Sequence, residues 1–328
     1  MGILVTGGAG YIGSHTVYEL VKNTQQVVVY DNLSKGHQAA VPAGIPLIVG
    51  DIRDEEKLVK TIQSYDIDTV IHFAADSLVG ESMQNPAKYY ENNVVATLAL
   101  FNSMRSCSVC KIVFSSTAAV YGEPGVWPIR EDLRTNPTNV YGRTKLVIEG
   151  ILADYANAYG LKYVSLRYFN AAGARPSGII GEDHAPETHL IPLVLKTALG
   201  QREAIDIYGT DYATPDGTCI RDYIHVTDLA KAHVLALEHL QAGGYSRICN
   251  LGSETGFSVR EVIERAKKVT GINFPVREKE RRAGDPAVLV ASSAIIRQEL
   301  GWVPLYSDLD TILRTAWEWH QANPEGYK

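Results

Sequence analysis

Tyr141 and Lys145 stand four residues apart in Tyr141-Gly142-Arg143-Thr144-Lys145, so at the opening of a helix both side chains lie on one face. A free phenol titrates at about pH 10 and is a poor base at neutrality. A cation held beside it favours the phenolate and makes the pair a proton carrier. An isolated Tyr-x-x-x-Lys is ordinarily a surface pair, so its context decides. That context is Thr6-Gly7-Gly8-Ala9-Gly10-Tyr11-Ile12-Gly13, a G-x-x-G-x-x-G pattern between an apolar run and an amphipathic one. Gly7 allows a turn with unusual dihedrals, Gly10 lets a pyrophosphate approach the backbone, and Gly13 lets helix and strand pack closely. The helix that follows presents free N–H groups and a partial positive charge to phosphates. Asp31, 18 residues beyond Gly13, ends the next apolar run, where its carboxylate can accept from a ribose diol and repels a 2′-phosphate. The expected cofactor is NAD rather than NADP, and its oxidised nicotinamide is a further cation acting on Tyr141.

Phe114-Ser115-Ser116-Thr117-Ala118-Ala119-Val120-Tyr121-Gly122 follows another apolar run. There the Thr117 hydroxyl can hydrogen-bond the substrate oxygen that Tyr141 deprotonates; ordinary turn chemistry is the alternative. These residues need strands to hold them. Gly2–Thr6, Val27–Tyr30, Leu47–Val49, Thr69–Phe73, Lys111–Phe114 and Tyr163–Leu166 read as short buried strands. Tyr11–Lys22, Asp54–Ser64, Pro86–Met104 and Lys145–Tyr159 read as helices between them. The alternation predicts a Rossmann-type, doubly wound parallel sheet covered on both faces. After Phe169-Asn170-Ala171-Ala172-Gly173, the stretch Ala174–Glu187 reads as a long loop. Helical patterns return at Leu190–Leu199, Val226–Leu240, Ser258–Thr270 and Leu309–Ala322, with strand-like runs at Ile205–Tyr208 and Ile248–Leu251. The expected division is a dinucleotide-binding domain over 1–170 and a smaller mixed α/β substrate lobe over 171–328, with the chain free to recross.

Composition narrows the class. The 328 residues carry 31 Lys and Arg against 37 Asp and Glu, a net charge of −6 with no dense basic block, which argues against a nucleic-acid partner. No apolar run approaches the ~18 residues of a membrane span, and a glycine motif beginning at Gly7 leaves no room for a secretory signal. Four cysteines are too few for a disulfide scaffold and favour a reducing, cytoplasmic setting. Cys107-Ser108-Val109-Cys110 lacks a second ligand pair, and the nine histidines form no His-Glu-x-x-His, so no metal is expected. There is no Gly-x-Ser-x-Gly elbow of a hydrolase.

The ordered set of motifs resembles the extended short-chain dehydrogenase/reductases and, within them, the branch that inverts C4 of a UDP-hexose. The resemblance runs from Gly7 to the Trp317/Trp319 helix and is densest in Ser115–Gly122, Tyr141–Lys145, Arg167–Gly173, Gly209–Val226 and Arg281–Ala287. It implies that Tyr11, Ile12, Asp31, Asn32, Ser34, Lys35, Gly36, Asp51, Ile52, Phe73, Ala74, Ala75, Asn92 and Phe169 contact NAD, with Lys145 on the nicotinamide ribose. It places Asn170, Leu190, Tyr208, Arg221, Arg282 and Asp285 around a UDP moiety, and His189, beside Leu190, is a candidate phosphate or ribose contact. The two arginines are forked cations suited to a diphosphate, and Asp285 can accept from ribose hydroxyls. The implied activity interconverts UDP-glucose and UDP-galactose through a 4-keto sugar, in a homodimer paired through Asn92–Met104 and Lys145–Tyr159.

Three positions depart from the family pattern. Thr117 stands where many members carry Ser and keeps the hydroxyl. Ser77 stands where some members place Lys near the cofactor. Val288 falls where members carry either Tyr or a small residue at the sugar pocket; a side chain this small leaves room for a 2-acetamido group and extends the expected substrates to UDP-N-acetylglucosamine. A 4,6-dehydratase or decarboxylase on the same scaffold is the rival enzyme, but dehydration needs an Asp-Glu pair where this chain has Ala118-Ala119. A non-catalytic NAD-binding regulator predicts a broken Tyr/Lys pair, and both residues are present.

Overall fold

The computed structural model describes residues 2–23, 26–282 and 285–327; Ala283 and Gly284, within the Arg281–Ala287 motif, lie outside them. Seven parallel strands form the central sheet, in the spatial order Arg247–Leu251, Lys162–Tyr168, Lys111–Ser115, Ile67–His72, Gly2–Thr6, Gln26–Asp31 and Leu47–Val49. The winding direction reverses between the neighbours Gly2–Thr6 and Ile67–His72, so a crevice opens at their carboxyl ends.

Side chains alternate across the sheet. Ile3, Val5, Val27 and Val29 pack with Val17, Leu20, Leu229 and Leu237 on one face. Leu4, Val28 and Tyr30 pack with Leu58, Leu100, Phe101, Ile148 and Leu152 on the other. Both faces are dry, which is why these strands read as unbroken apolar runs. A separate core built from Ile191, Val194, Leu195, Ile207, Ile263, Ile312 and Leu313 supports the second lobe.

The chain recrosses between lobes. The helix Val226–Gln241 lies on the first face of the sheet, and Arg247–Leu251 pairs with Lys162–Tyr168 as its edge strand. A division at residue 170 therefore omits the covering helix Val226–Gln241, the helix Ala294–Leu300 packed into the same core, and one strand of the sheet. Without that strand, Lys162–Tyr168 would present an unpaired edge. The run expected as one helix, Pro86–Met104, is divided into Pro86–Tyr89, a π-helical turn over Tyr90–Val95, and Ala96–Ser106. Asn93 explains the wide turn: its buried amide donates to the Asp76 carbonyl at 3.0 Å and to Thr144 Oγ1 at 3.1 Å, and accepts from Asp76 N at 2.9 Å.

Candidate active site

Gly7 adopts φ +71°, and a Cβ there would lie 2.6 Å from Ala74 N. A Cβ on Gly13 would meet the Gly7 carbonyl oxygen at 2.2 Å, so neither position admits a side chain. Gly10 begins the helix Tyr11–Lys22 without a side-chain acceptor, leaving the first-turn N–H groups available to an anion. Asp31 Oδ2 accepts from Ala9 N and Oδ1 from Leu33 N, both at 2.9 Å. Burial pushes its carboxyl up while those N–H groups oppose the rise, and each oxygen keeps capacity for one more donor. Asp31→Ala is expected to lower the NAD-over-NADP preference by about 10- to 100-fold, the loss of a charge-assisted hydrogen bond. Dissociation constants for the two dinucleotides check this; unchanged selectivity would mean that another group reads the ribose.

All of the residues expected at the dinucleotide, Ser77 included, line one cavity of about 1240 Å³. Asp51 is held below the usual carboxylate range by Arg53, whose Nε and Nη2 donate at 2.9 and 2.7 Å.

Tyr141, Lys145 and Thr117 meet at the carboxyl edge of the sheet on the same cavity. Asn139 caps the helix Val140–Tyr159 by accepting from Gly142 N at 2.8 Å. A Cβ on Gly142 would lie 2.7 Å from the Ala119 carbonyl oxygen, so glycine lets the first turn press against the Thr117 loop. Burial pushes the Tyr141 phenol up to about 12, and the Thr117 side-chain hydrogen bond partly offsets the rise. The expectation that Lys145 lowers this value is not met in the protein alone. Its ammonium donates to the Ser115 carbonyl at 2.8 Å, sits 4.9 Å from the Phe114 ring centre, and is 6.0 Å from that of Tyr141. Burial brings Lys145 itself down to about 7, against a weaker pull upward from Glu149.

That depression is also a statement about stability. Between about pH 7 and the ordinary lysine value of 10.5, the unfolded chain binds a proton that the folded chain has released, so stability rises with pH across this window. Lys145→Met is expected to abolish that slope. At pH 7 it should stabilise the fold by roughly 1–3 kcal/mol, the relief of a buried charge less the cost of an unpaired Ser115 carbonyl. Urea midpoints at pH 7 and pH 10 test both statements, and a destabilised variant at pH 7 contradicts them.

On the far side of the cavity, Arg221 Nη2 lies 3.1 Å from Asp285 Oδ1, and Asn170 Nδ2 donates to the Asp222 carbonyl at 2.8 Å. Asn170, His189, Arg221, Arg282 and Asp285 line the cavity; Leu190, Tyr208 and Val288 are not among its lining residues. Leu190 packs into the second-lobe core, and Leu193 lines the cavity in its place. Tyr208 sits under the Arg282 guanidinium, 3.9 Å from ring centre to carbon, and so positions that cation. Val288 begins the two-residue strand Val288–Leu289; successive side chains of a strand point opposite ways, and Leu289 is the one on the cavity. The argument for sugar-pocket space thus transfers from Val288 to Leu289. His189 lines the cavity with its Nδ1 engaged by Glu187 and Glu182 at 2.9 and 3.0 Å. Arg202, which the motifs did not mark, also lines the cavity; its only sequence signal is a cation just past the helix Leu190–Ala198.

Residues 3–252 match the family model described as NAD dependent epimerase/dehydratase family. The chain belongs to that family. Among its relatives, the UDP-glucose 4-epimerase of Halalkalibacterium halodurans is 58% identical over 327 residues, 100% of this chain and 98% of the other. The crystal structure of UDP-glucose 4-epimerase from Brucella ovis in complex with NAD is 53% identical, with TM-score 0.94 over 96% of this chain and 97% of that one. The crystal structure of the Bifidobacterium longum enzyme in complex with NAD+ and UDP is 40% identical, with TM-score 0.94 over 100% of both chains. The cradle here fits the cofactor of an NAD dependent epimerase/dehydratase: two glycines where a Cβ would collide, an uncapped helix start, and a buried carboxylate with spare acceptor capacity.

Proposed function

We propose that the protein interconverts UDP-glucose and UDP-galactose by NAD-dependent inversion at C4 through a 4-keto sugar. One observation carries the reading: Tyr141 and Thr117 open onto the same cavity as Arg221 and Arg282, so proton transfer and diphosphate binding share one space. Bound NAD supplies the acceptor and the return donor of the C4 hydride, and its oxidised ring brings positive charge into the cavity. Gly7, Gly10, Gly13 and Asp31 hold it there. Tyr141 Oη takes the proton of the 4-hydroxyl and returns it after the sugar has turned. Thr117 Oγ1 fixes the position of that oxygen. Arg221 and Arg282 retain the nucleotide, so that binding energy remote from C4 keeps the ketone in place while the sugar is free to rotate. Ala118 is buried and Ala119 lines the cavity; neither has a proton to give, so C5–C6 elimination lacks an acid and a base. Purified protein incubated with UDP-galactose and no added cofactor is expected to yield UDP-glucose. A 4-keto-6-deoxy product, or no turnover with dinucleotide bound, overturns the reading.

The same reading makes the active form a cytoplasmic homodimer pairing through Asn92–Met104 and Lys145–Tyr159. Val95 is 54% and Val147 39% exposed, and a Cβ on Gly150, one turn beyond Val147, would meet nothing within 4 Å. Sedimentation at twice the chain mass is expected, and Val147→Glu should give the single-chain mass; a wild-type monomer counts against the pairing.

A further inference from the structure

Glu182, His184, Glu187 and His189 converge at the rim of the cavity, and no step of the proposed reaction uses them. Each offers one donor atom, and the four atoms lie within 4.8 Å of one another. His184 Nδ1 is 3.2 Å from Glu182 Oε1 and 3.6 Å from Glu187 Oε2. His189 Nδ1 is 3.0 Å from Glu182 Oε1 and 2.9 Å from Glu187 Oε1. The two carboxylate side chains are only 5% and 4% exposed. Within the cluster, Glu187 Oε2 and His184 Nδ1 are both buried without a hydrogen-bond partner among the described residues, facing each other at 3.6 Å, too far apart for a hydrogen bond of their own. A carboxylate oxygen shut away from water without a donor is costly, and such an atom calls for a ligand.

Donor chemistry selects the ligand. Mg2+ and Ca2+ prefer six or more oxygens, whereas two imidazole nitrogens with two carboxylate oxygens suit a borderline cation. Zn2+ binds such atoms tetrahedrally at about 2.0–2.2 Å, which sets the edges of the tetrahedron at about 3.3–3.6 Å. With Glu182 Oε1 and Glu187 Oε2 as the carboxylate donors, His184 Nδ1 stands 3.2 and 3.6 Å from them and His189 Nδ1 3.0 Å from Glu182 Oε1, each within about 0.3 Å of such an edge. We propose that Glu182, His184, Glu187 and His189 form a zinc site of this protein.

Four protein ligands leave no open position, so the ion is structural and does not polarise substrate. Its effect is on the segment 182–189, which precedes the helix Leu190–Ala198 and already touches the dinucleotide half. Lys35 Nζ donates to the Ala185 carbonyl at 2.8 Å, His37 Nε2 lies 3.2 Å from the Asp183 carbonyl oxygen, and the Tyr11 and His184 rings meet edge-on at 6.1 Å. Zinc would clamp this rim against the edge of the cofactor cavity.

The test uses full-length protein without a polyhistidine tag, stripped with EDTA and titrated with Zn2+ against a chromogenic chelator. One zinc per chain is expected, and Co2+ in its place should give the intense visible bands of a tetrahedral ion. His189→Ala, and separately the isosteric Glu187→Gln, should each reduce occupancy at least tenfold, while Cys107→Ser with Cys110→Ser leaves it at one. Zinc loading should slow amide exchange across 182–189 about tenfold or more relative to stripped protein. Failure of the stripped protein to take up zinc overturns the site, as does a pale octahedral cobalt spectrum or full occupancy in a ligand variant that circular dichroism shows to be folded.

Discussion

Tyr141→Phe is expected to lower kcat by about 10²–10⁴-fold, the range for removing a positioned general acid–base, while the dissociation constant for UDP stays within about twofold. The separation follows from where the parts sit. The phenol belongs to the first turn of Val140–Tyr159, whereas Arg221 and Arg282 come from the second lobe and are tied to Asp285 and Tyr208. Phe keeps the ring and its packing, and deletes one oxygen whose side-chain partner is Thr117. In the protein alone that oxygen holds its proton up to about 12, so burial leaves it a weak base. The phenolate therefore depends on positive charge brought into the cavity with the oxidised cofactor. Steady-state kinetics with UDP-galactose, with dinucleotide content measured on the same sample, separates a chemical loss from a binding loss. A variant turning over within about tenfold of wild type would move proton transfer to another group, since a true general base contributes at least about 10²-fold.

The sequence disclosed the parts of this site that are local. Gly2–Thr6 and Tyr11–Lys22 were bounded by the glycine turn between them, and the structure has the same limits. Leu309–Ala322 was equally plain from its apolar spacing. The edge strand Arg247–Leu251 was visible as a run but not as a member of the main sheet, because pairing across some eighty residues leaves no mark on the run itself. The π turn at Tyr90–Val95 was hidden for a related reason: what demands it is the contact of Asn93 with Asp76 and Thr144, and helix periodicity carries no trace of tertiary partners. Val288 shows the limit of carrying roles by alignment, since a one-residue step along a strand exchanges the cavity face for its opposite. The Glu182–His189 cluster escaped because its ligands follow one another in an irregular loop. No helical or hairpin spacing announces them, and they belong neither to a cysteine pair nor to a His-Glu-x-x-His pattern.

Glu149→Ala is expected to destabilise the fold by about 3–5 kcal/mol, the cost of leaving a buried charge without its partner. Glu149 and Arg167 are 3% and 5% exposed. Glu149 Oε1 accepts from Ser116 Oγ at 2.6 Å, Ser165 Oγ at 3.1 Å and Arg167 Nε at 2.9 Å, while Oε2 takes Arg167 Nη2 at 2.5 Å. Arg167 Nη1 also donates to Tyr121 Oη, which in turn donates to Asn250 Oδ1. Removing the carboxylate strands the guanidinium and two hydroxyls at once. Replacing both ends, Glu149→Met with Arg167→Met, should recover much of the loss, because an apolar pair of similar volume needs no desolvation. Activity should not recover with it. Ser116 adjoins Thr117, and the Glu149 charge is what draws Lys145 back up against burial, so without it the lysine is still more fully neutral at pH 7. Urea midpoints and kcat on the single and double variants decide the matter. If the double variant regains both stability and turnover, Glu149 serves only to balance Arg167. If it regains stability alone, the buried carboxylate also sets the charge of the catalytic pair.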